Sequence, residues 1–568
     1  MPRIIYLRLL IILVTIVCAD GRPNVLFIAV DDLRPALGCY GDKTAVTPNL
    51  DKLAGEGILF ERAYCQLAVC SPSRLSLMTG HRPDSIRVWD LVTHFRKAIS
   101  EAVTLPQFFK QNGYHTRSIG KILHGSGSPS KDPVSWSVDP IHDVNRDPKF
   151  RYASEKNLKG KGLKRSASES AEVPDETYMD GLICREAEKA LRQYGENSPP
   201  FFLAVGFKKP HLPFCAPKKY WDLYDRKKIP LPSNPGHPER APELATRSWR
   251  ELEGYTDIPQ DGKLSEKKIR ELRHGYYACV SYVDVLVGRL LKQLETSGLA
   301  ETTVVCLWGD HGFHLGEQGL WTKANNYELS ARVPLLFRFP EKIKAGKRSA
   351  ALVELVDVYP TLVGLCGLKA PSGLEGISLM PLIEKPGLTW KSAAFTQYPR
   401  SLKSHRHRGP GDVMGYAVRT DTHRYVEWRE GMEGKVLHRE LYDHREDPEE
   451  MKNVAALKKN TQAVACYCLA FLSEVAMSLG IIKRKPLCMI ADNLAKSRIR
   501  GKVVPLMRVP FMIVKLLSAI GIPDISPPGG AHRMIVEAVG HQCWTAEDPP
   551  RVRELGRNAD AVIGLIGR

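Results

Sequence analysis

Asn24-Val-Leu-Phe-Ile-Ala-Val30 is apolar at every position but the first, and Phe201-Phe-Leu-Ala-Val-Gly-Phe207 and Thr303-Val-Val-Cys-Leu-Trp308 repeat that pattern. Runs without alternation have apolar neighbours on both sides, so each predicts a strand covered on both faces of a mostly parallel sheet. Residues 48–57 (PNLDKLAGEG) and 105–112 (LPQFFKQN), the latter closed by Gly113, predict short helices with glycine stops. Apolar residues recur at helical spacing over 269–294, and a helix is also expected at 352–365. A further strand is expected at 334–340, with short strands at 415–419 and 425–428 before a turn-rich stretch at 441–449. Residues 145–170 are polar and lysine-rich and predict a surface loop. Strands alternating with helices argue for a doubly wound α/β sheet, in which functional loops lie at the carboxyl ends of the strands. Asp31-Asp32, His211 and Asp310-His311 all fall there.

The chain has 568 residues, 43% hydrophobic and 25% charged, which excludes a disordered or fibrous protein. Arg3 and Arg8 precede an apolar run from Leu9 to Val17, followed by Cys18-Ala19. That pattern predicts an export signal over 1–19, since the apolar run is short of the roughly 20 residues that span a bilayer. The predicted organisation is a catalytic α/β domain over 20–370, a smaller α+β subdomain over 371–455, and an extra basic segment over 456–568. The formal net charge of +18 favours anionic partners. It is unevenly spread: residues 456–568 carry sixteen Lys/Arg against eight Asp/Glu, leaving a moderate positive bias for the rest. The thirteen cysteines show no CxxC pairing of a zinc or thioredoxin-like module.

Cys70-Ser-Pro-Ser-Arg74, followed by Leu75-Ser-Leu-Met-Thr-Gly80, is the most informative string. A free thiol is most often buried apolar filler, but this one is expected in a polar Ser/Pro loop beside Arg74. A thiol nucleophile is a second reading, although no His/Asn partner arrangement accompanies it. Asp31, Asp32 and Asp310 would bring three carboxylates to one sheet edge. Their mutual repulsion is relieved by a hard divalent ion with oxygen ligands, and His311 is compatible with such a site. Arg82, His94 and Arg96 are further candidates for contact with an anionic substrate, with ordinary surface charge the commoner fate of such residues.

The Cys-x-Pro-Ser-Arg core with its following Thr-Gly resembles the signature of the sulfatase family. In family order the chain also carries Asn24 to Tyr40, Gly120-Lys121-Ile-Leu-His124, Lys209-Pro-His211-Leu-Pro-Phe214 and Gly309-Asp310-His311-Gly-Phe-His-Leu-Gly-Glu317. The resemblance spans roughly residues 24–455. It is closest to the iduronate-2-sulfatase branch, in Val30-Asp-Asp-Leu-Arg-Pro35, Leu37-Gly-Cys-Tyr-Gly41 and His311. It implies an alkaline-phosphatase-like, mostly parallel sheet flanked by helices, and a sulfuric ester hydrolase acting on a sulfated carbohydrate, with a uronate-containing glycan expected. Cys70 would be converted to formylglycine by a formylglycine-generating enzyme. One Ca²⁺, with Mg²⁺ sharing its ligand preference, would be held by Asp31, Asp32, residue 70, Asp310 and His311. Arg74 would favour the ionised nucleophile, and Lys121 would hold the formylglycine. His124 would act as base, and His211 with Lys323 would contact the sulfate and protonate the leaving oxygen; Lys121, His211 and Lys323 thus form the substrate-binding set. No nucleic-acid partner and no membrane insertion after signal removal are expected. The location would be periplasmic or extracellular in a bacterium and lysosomal in a eukaryote, the absence of an Asn-x-Ser/Thr acceptor favouring the former. Two alternatives remain at this level: a phosphoesterase of the same fold, which ordinarily attacks through Ser or Thr, and an unmodified glycan-binding relative.

Overall fold

The computed structural model describes residues 21–125, 132–143, 150–162, 164–194, 199–405, 409–432, 434–461, 463–464 and 467; the predicted export signal and nearly all of the 456–568 segment lie outside them. The strands are β1 (Asn24–Asp31), β2 (Ile58–Tyr64), β3 (His115–Gly120), β4 (Ser168–Ala171), β5 (Phe201–Pro210), β6 (Phe214–Pro217), β7 (Thr303–Gly309), β8 (Arg332–Val333), β9 (Leu335–Arg338), β10 (Lys347–Glu354), β11 (Ala393–Arg400), β12 (Val413–Thr420), β13 (His423–Glu430) and β14 (Val436–Asp443). Helices of seven or more residues are α1 (Pro48–Gly55), α2 (Cys70–Thr79), α3 (Leu105–Gln111), α4 (Met179–Gln193), α5 (Glu266–Thr296) and α6 (Val358–Leu365).

The large sheet has the order β10-β2-β9-β7-β1-β5-β3, with β8 paired to β2. The β10–β2, β7–β1, β1–β5 and β5–β3 pairings are parallel, while β9 runs against both neighbours. The apolar run of β1 explains its central place. Leu26, Ile28 and Val30 face one core with α1, α4 and α5, and Val25, Phe27 and Ala29 face a second with α2, α3 and α6. Each such Val, Leu, Ile or Phe side chain, fully withdrawn from water, contributes about 1.5–3 kcal/mol, and Leu75, Leu77 and Met78 of α2 are buried in the second core.

A separate antiparallel sheet, β11-β12-β13-β14, forms the smaller C-terminal unit. It docks through apolar residues such as Met414, Tyr398 and Val418 against Leu67, Val69 and Trp89. Leu379, Leu382 and Ile383 still belong to the large-sheet core, and the small sheet begins at Ala393.

Four local expectations are corrected. Leu352 to Glu354 end β10 rather than open a helix; a 3-10 turn over Leu355–Asp357 intervenes before α6. Cys70 opens the buried helix α2 and does not sit in a polar loop, because Pro72 in a first turn costs no helical hydrogen bond. Leu441 to Asp443 belong to β14, and the described part of 145–170 contains a helix at Glu155–Lys159 and most of β4.

Candidate active site

The carboxyl ends of four neighbouring strands converge with the start of α2. β1 delivers Asp31 and then Asp32, whose backbone turns through a left-handed conformation (φ 59°). That turn is held on both sides: the Asp32 amide donates to Asp310 Oδ1 (3.1 Å), and the Tyr276 hydroxyl on α5 donates to the Asp32 carbonyl (2.8 Å). β7 ends before Asp310-His311, and β5 ends before His211. β3 ends at Gly120 (φ +81°), after which the Lys121 amide donates to the Gly206 carbonyl (2.8 Å). A side chain at Gly206 would strike the Lys121 backbone, so glycine there is what lets Lys121 approach.

Cys70 lies at the N-terminus of α2, where unpaired amides place partial positive charge. Its Sγ is 3.4 Å from Asp31 Oδ1, 3.4 Å from Lys121 Nζ and 3.3 Å from His311 Nε2. One turn on, the fully buried Arg74 donates through Nε to Asp310 Oδ2 (2.7 Å), through Nη1 to the Ile122 carbonyl (3.1 Å) and the Lys121 carbonyl, and reaches Asp31 Oδ1 with Nη2 (3.5 Å). Lys121 Nζ also donates to Asp31 Oδ2. Lys323 Nζ donates to both oxygens of Asp32 (3.1 Å each). Three buried carboxylates thus face three buried cations, the arrangement charges need when removed from water.

The balance is uneven. Burial works against the Asp31 charge, yet Lys121, His211 and Arg74 outweigh it and hold that carboxyl well below the usual range. Burial prevails at Asp32, whose carboxyl is pushed well above that range despite Lys323. Burial likewise opposes a charge on His311, but Asp310, the Cys70 sulfur and Asp32 override it and push the imidazole up to about 9. His124 and His211 are both pushed down to about 3, by burial first and then by Lys121 and Lys323 respectively. His124 Nδ1 is buried with no hydrogen-bond partner.

Ligand atoms of Asp31, Cys70, Asp310 and His311 lie within 4.8 Å of one another, as do those of Asp31, Asp32, Cys70 and His211. Crowded, desolvated carboxylate oxygens suit a hard divalent cation, so this donor set fits such an ion, with His311 as its nitrogen member.

Of the thirteen residues singled out from the sequence, ten come together here: Asp31, Asp32, Cys70, Arg74, Lys121, His124, His211, Asp310, His311 and Lys323. Sequence reasoning missed Glu251, whose carboxylate pairs with Lys323 Nζ (3.0 Å) and lies 3.4 Å from His211 Nε2. Among the speculative contacts, Arg82 is buried against Glu354 (2.8 and 3.0 Å) and Arg96 grips Asp132 (2.6 and 2.9 Å). His94 Nδ1 accepts from the Arg96 amide (3.1 Å).

Comparison with known proteins agrees with this geometry. The Sulfatase family model matches residues 23–368, and the model of the N-sulphoglucosamine sulphohydrolase C-terminal region matches 316–471. The chain is 36% identical to iduronate 2-sulfatase of Mus musculus over 474 residues, covering 72% of this chain and 85% of that protein. It is 35% identical to the Homo sapiens enzyme, covering 71% and 84%. Among solved structures, BT4656 in complex with its substrate D-glucosamine-2-N,6-O-disulfate superposes with a TM-score of 0.65 at 24% identity, covering 80% of this chain and 98% of that one. The phosphonate monoester hydrolase of Agrobacterium radiobacter gives 0.66 at 22% identity, covering 80% and 96%, which marks the shared alkaline-phosphatase-like fold. With its signature cysteine seated among buried carboxylates and cations at the end of a mostly parallel sheet, this chain belongs to the sulfatase family of sulfuric ester hydrolases.

Proposed function

We propose that the protein removes sulfate from a sulfated, uronate-containing glycan, in the manner of an iduronate-2-sulfatase. The observation that carries this reading is the Cys70 sulfur within 3.4 Å of Asp31, Lys121 and His311 at the head of a buried helix. Identity of about 35% to iduronate 2-sulfatases over most of the chain supports the substrate class. Formylglycine made from Cys70 by a formylglycine-generating enzyme would add water, one hydroxyl of the hydrate serving as the nucleophile for sulfur and the other losing its proton to expel sulfate, and a divalent ion, Ca²⁺ or Mg²⁺, would supply positive charge beside it. Asp31, Asp32, residue 70, Asp310 and His311 would hold that ion.

This chain's own residues account for the rest. Arg74 fixes Asp310, Asp31 and the carbonyls after β3 as one unit, so residue 70 faces a set geometry. Lys121 and Lys323 balance charge on the sulfuryl oxygens. Lys323 donates to the departing sugar oxygen with His211 contacting the sulfate beside it, and His124, an uncharged imidazole with an unpaired nitrogen, accepts the proton whose removal lets sulfate leave. The export signal over 1–19, and an extracytoplasmic or lysosomal location, belong to the same reading.

Mass spectrometry of the native Cys70 peptide tests the central step: formylglycine makes it lighter than the thiol by about 18 Da. Hydrolysis of an aryl sulfate is expected for the wild type and none for Cys70→Ser. Free cysteine throughout active material, or full turnover by Cys70→Ser, would overturn the mechanism. A faster rate on an aryl phosphate than on the sulfate would favour a phosphoesterase.

A further inference from the structure

Glu251 has no role in the chemistry above, yet it joins two of the residues that chemistry uses. Its Oε2 lies 3.0 Å from Lys323 Nζ and its Oε1 lies 3.4 Å from His211 Nε2. Lys323 is otherwise held by Asp32 and lies over the Phe313 ring (5.8 Å to its centroid), while His211 donates from Nδ1 to the Leu212 carbonyl (2.7 Å). Lysine is flexible about four carbons and loses much rotamer freedom when held. A second anchor therefore decides where its ammonium points.

The carboxylate is itself held firmly. Arg250, immediately before it, adopts a left-handed conformation (φ 55°) that a non-glycine residue takes only at a cost in strain. Lys164 Nζ donates to the Glu251 carbonyl (2.7 Å). Trp249 on one side and Leu252, Tyr255 and Ile258 on the other are buried in two different apolar clusters. The segment is thus pinned at both ends, and Glu251 projects between the pins with its side chain 13% exposed.

We propose that Glu251 is a positioning residue: it fixes Lys323, beside His211, toward the sulfate ester of the substrate. This rests on the sulfatase reading above. Binding of a divalent ion by Asp32 would weaken the hold of that carboxylate on Lys323, leaving Glu251 as the anchor that remains.

The test uses the full-length protein with Glu251→Ala and Glu251→Gln. With an aryl sulfate, Glu251→Ala is expected to lower kcat about tenfold while KM changes less than about twofold, because misaligned groups cost rate more than ground-state binding. Glu251→Gln, which retains an acceptor for Lys323, is expected to recover most of that loss. The formylglycine content of the Cys70 peptide and the unfolding temperature are expected to stay at wild-type values. An arm independent of activity follows trace acetylation of lysines by mass spectrometry. Lys323 is expected to label about threefold faster in Glu251→Ala, with Lys121 unchanged as the internal reference. Unchanged Lys323 labelling overturns the proposal whether or not the protein is active, and so does an unchanged kcat in an active enzyme. Faster Lys323 labelling in a protein that cleaves no sulfate ester would leave the positioning role standing and overturn the sulfatase reading instead. If Glu251→Ala fails to fold, Glu251→Leu, which keeps the side-chain volume but offers Lys323 no acceptor, carries the same measurements.

Discussion

Arg74→Met removes a guanidinium that touches four groups at once. Asp310 loses its 2.7 Å donor, Asp31 loses a partner at 3.5 Å, and the carbonyls of Lys121 and Ile122 lose their donor. Taking one partner from a buried ion pair costs about 3–5 kcal/mol, because the other charge is left without compensation. An orphaned buried carbonyl adds about 1–3 kcal/mol. Methionine recovers on the order of 1 kcal/mol by packing on Trp308, whose ring the guanidinium now covers. The expected net loss is about 3–7 kcal/mol, a large share of the roughly 5–15 kcal/mol that keeps a protein folded. Arg74→Lys separates charge from geometry: it keeps a cation near the carboxylates but cannot reach both carbonyls, so a loss of only about 1–3 kcal/mol is expected. Urea unfolding followed by tryptophan fluorescence, with chelator present so that no divalent ion contributes, measures both. A methionine variant within about 1 kcal/mol of wild type, or a lysine variant as damaged as the methionine one, would refute the view that a buried charge balance holds this site together.

Two further outcomes follow. Burial, opposed by Glu317 and reinforced by Arg34, pushes the His314 imidazole down to about 4. Its uncharged form therefore stabilises the fold above the unfolded value of about 6.5, and that contribution is lost as pH falls towards 4, about 2 kcal/mol of it by pH 5. His314→Gln should destabilise that much less than wild type between pH 7 and pH 5 in paired urea titrations; equal slopes would count against it. Ca²⁺ at about 100 times its Kd should stabilise the protein by about 2.7 kcal/mol in thermal unfolding, and Asp310→Asn should abolish that gain; a gain equal to wild type in the variant would remove Asp310 from the ligand set.

The central strands were legible because their cause is local: a run such as Val25 to Val30 can be satisfied only with apolar neighbours on both faces. The sheet-edge positions of Asp31, His211 and Asp310 followed from where those runs stop. The helix assigned to Leu352–Leu365 was too long because β10 and α6 are both apolar and only a three-residue 3-10 turn separates them. Ser71-Pro72-Ser73 reads as loop chemistry, and burial between sheet and helix overrides that local preference. Glu251 carried no signal, being one acidic residue among many in a turn-rich stretch. Arg82 and Arg96 looked like free cations until the fold supplied Glu354 and Asp132.

By itself, then, the amino-acid sequence determined which segments become buried strands, which residue types end them, and that a signature cysteine, carboxylates and cations are all present. Only the tertiary structure decided that Arg74 and Asp310, 236 positions apart, close on one another, that Lys323 stands between Asp32 and Glu251, and which cations are spent on holding the fold. The physical reason is range. Strand and helix preferences act over a few neighbouring residues, whereas charge balance inside a protein depends on which groups are excluded from water together, and the packed chain alone sets that.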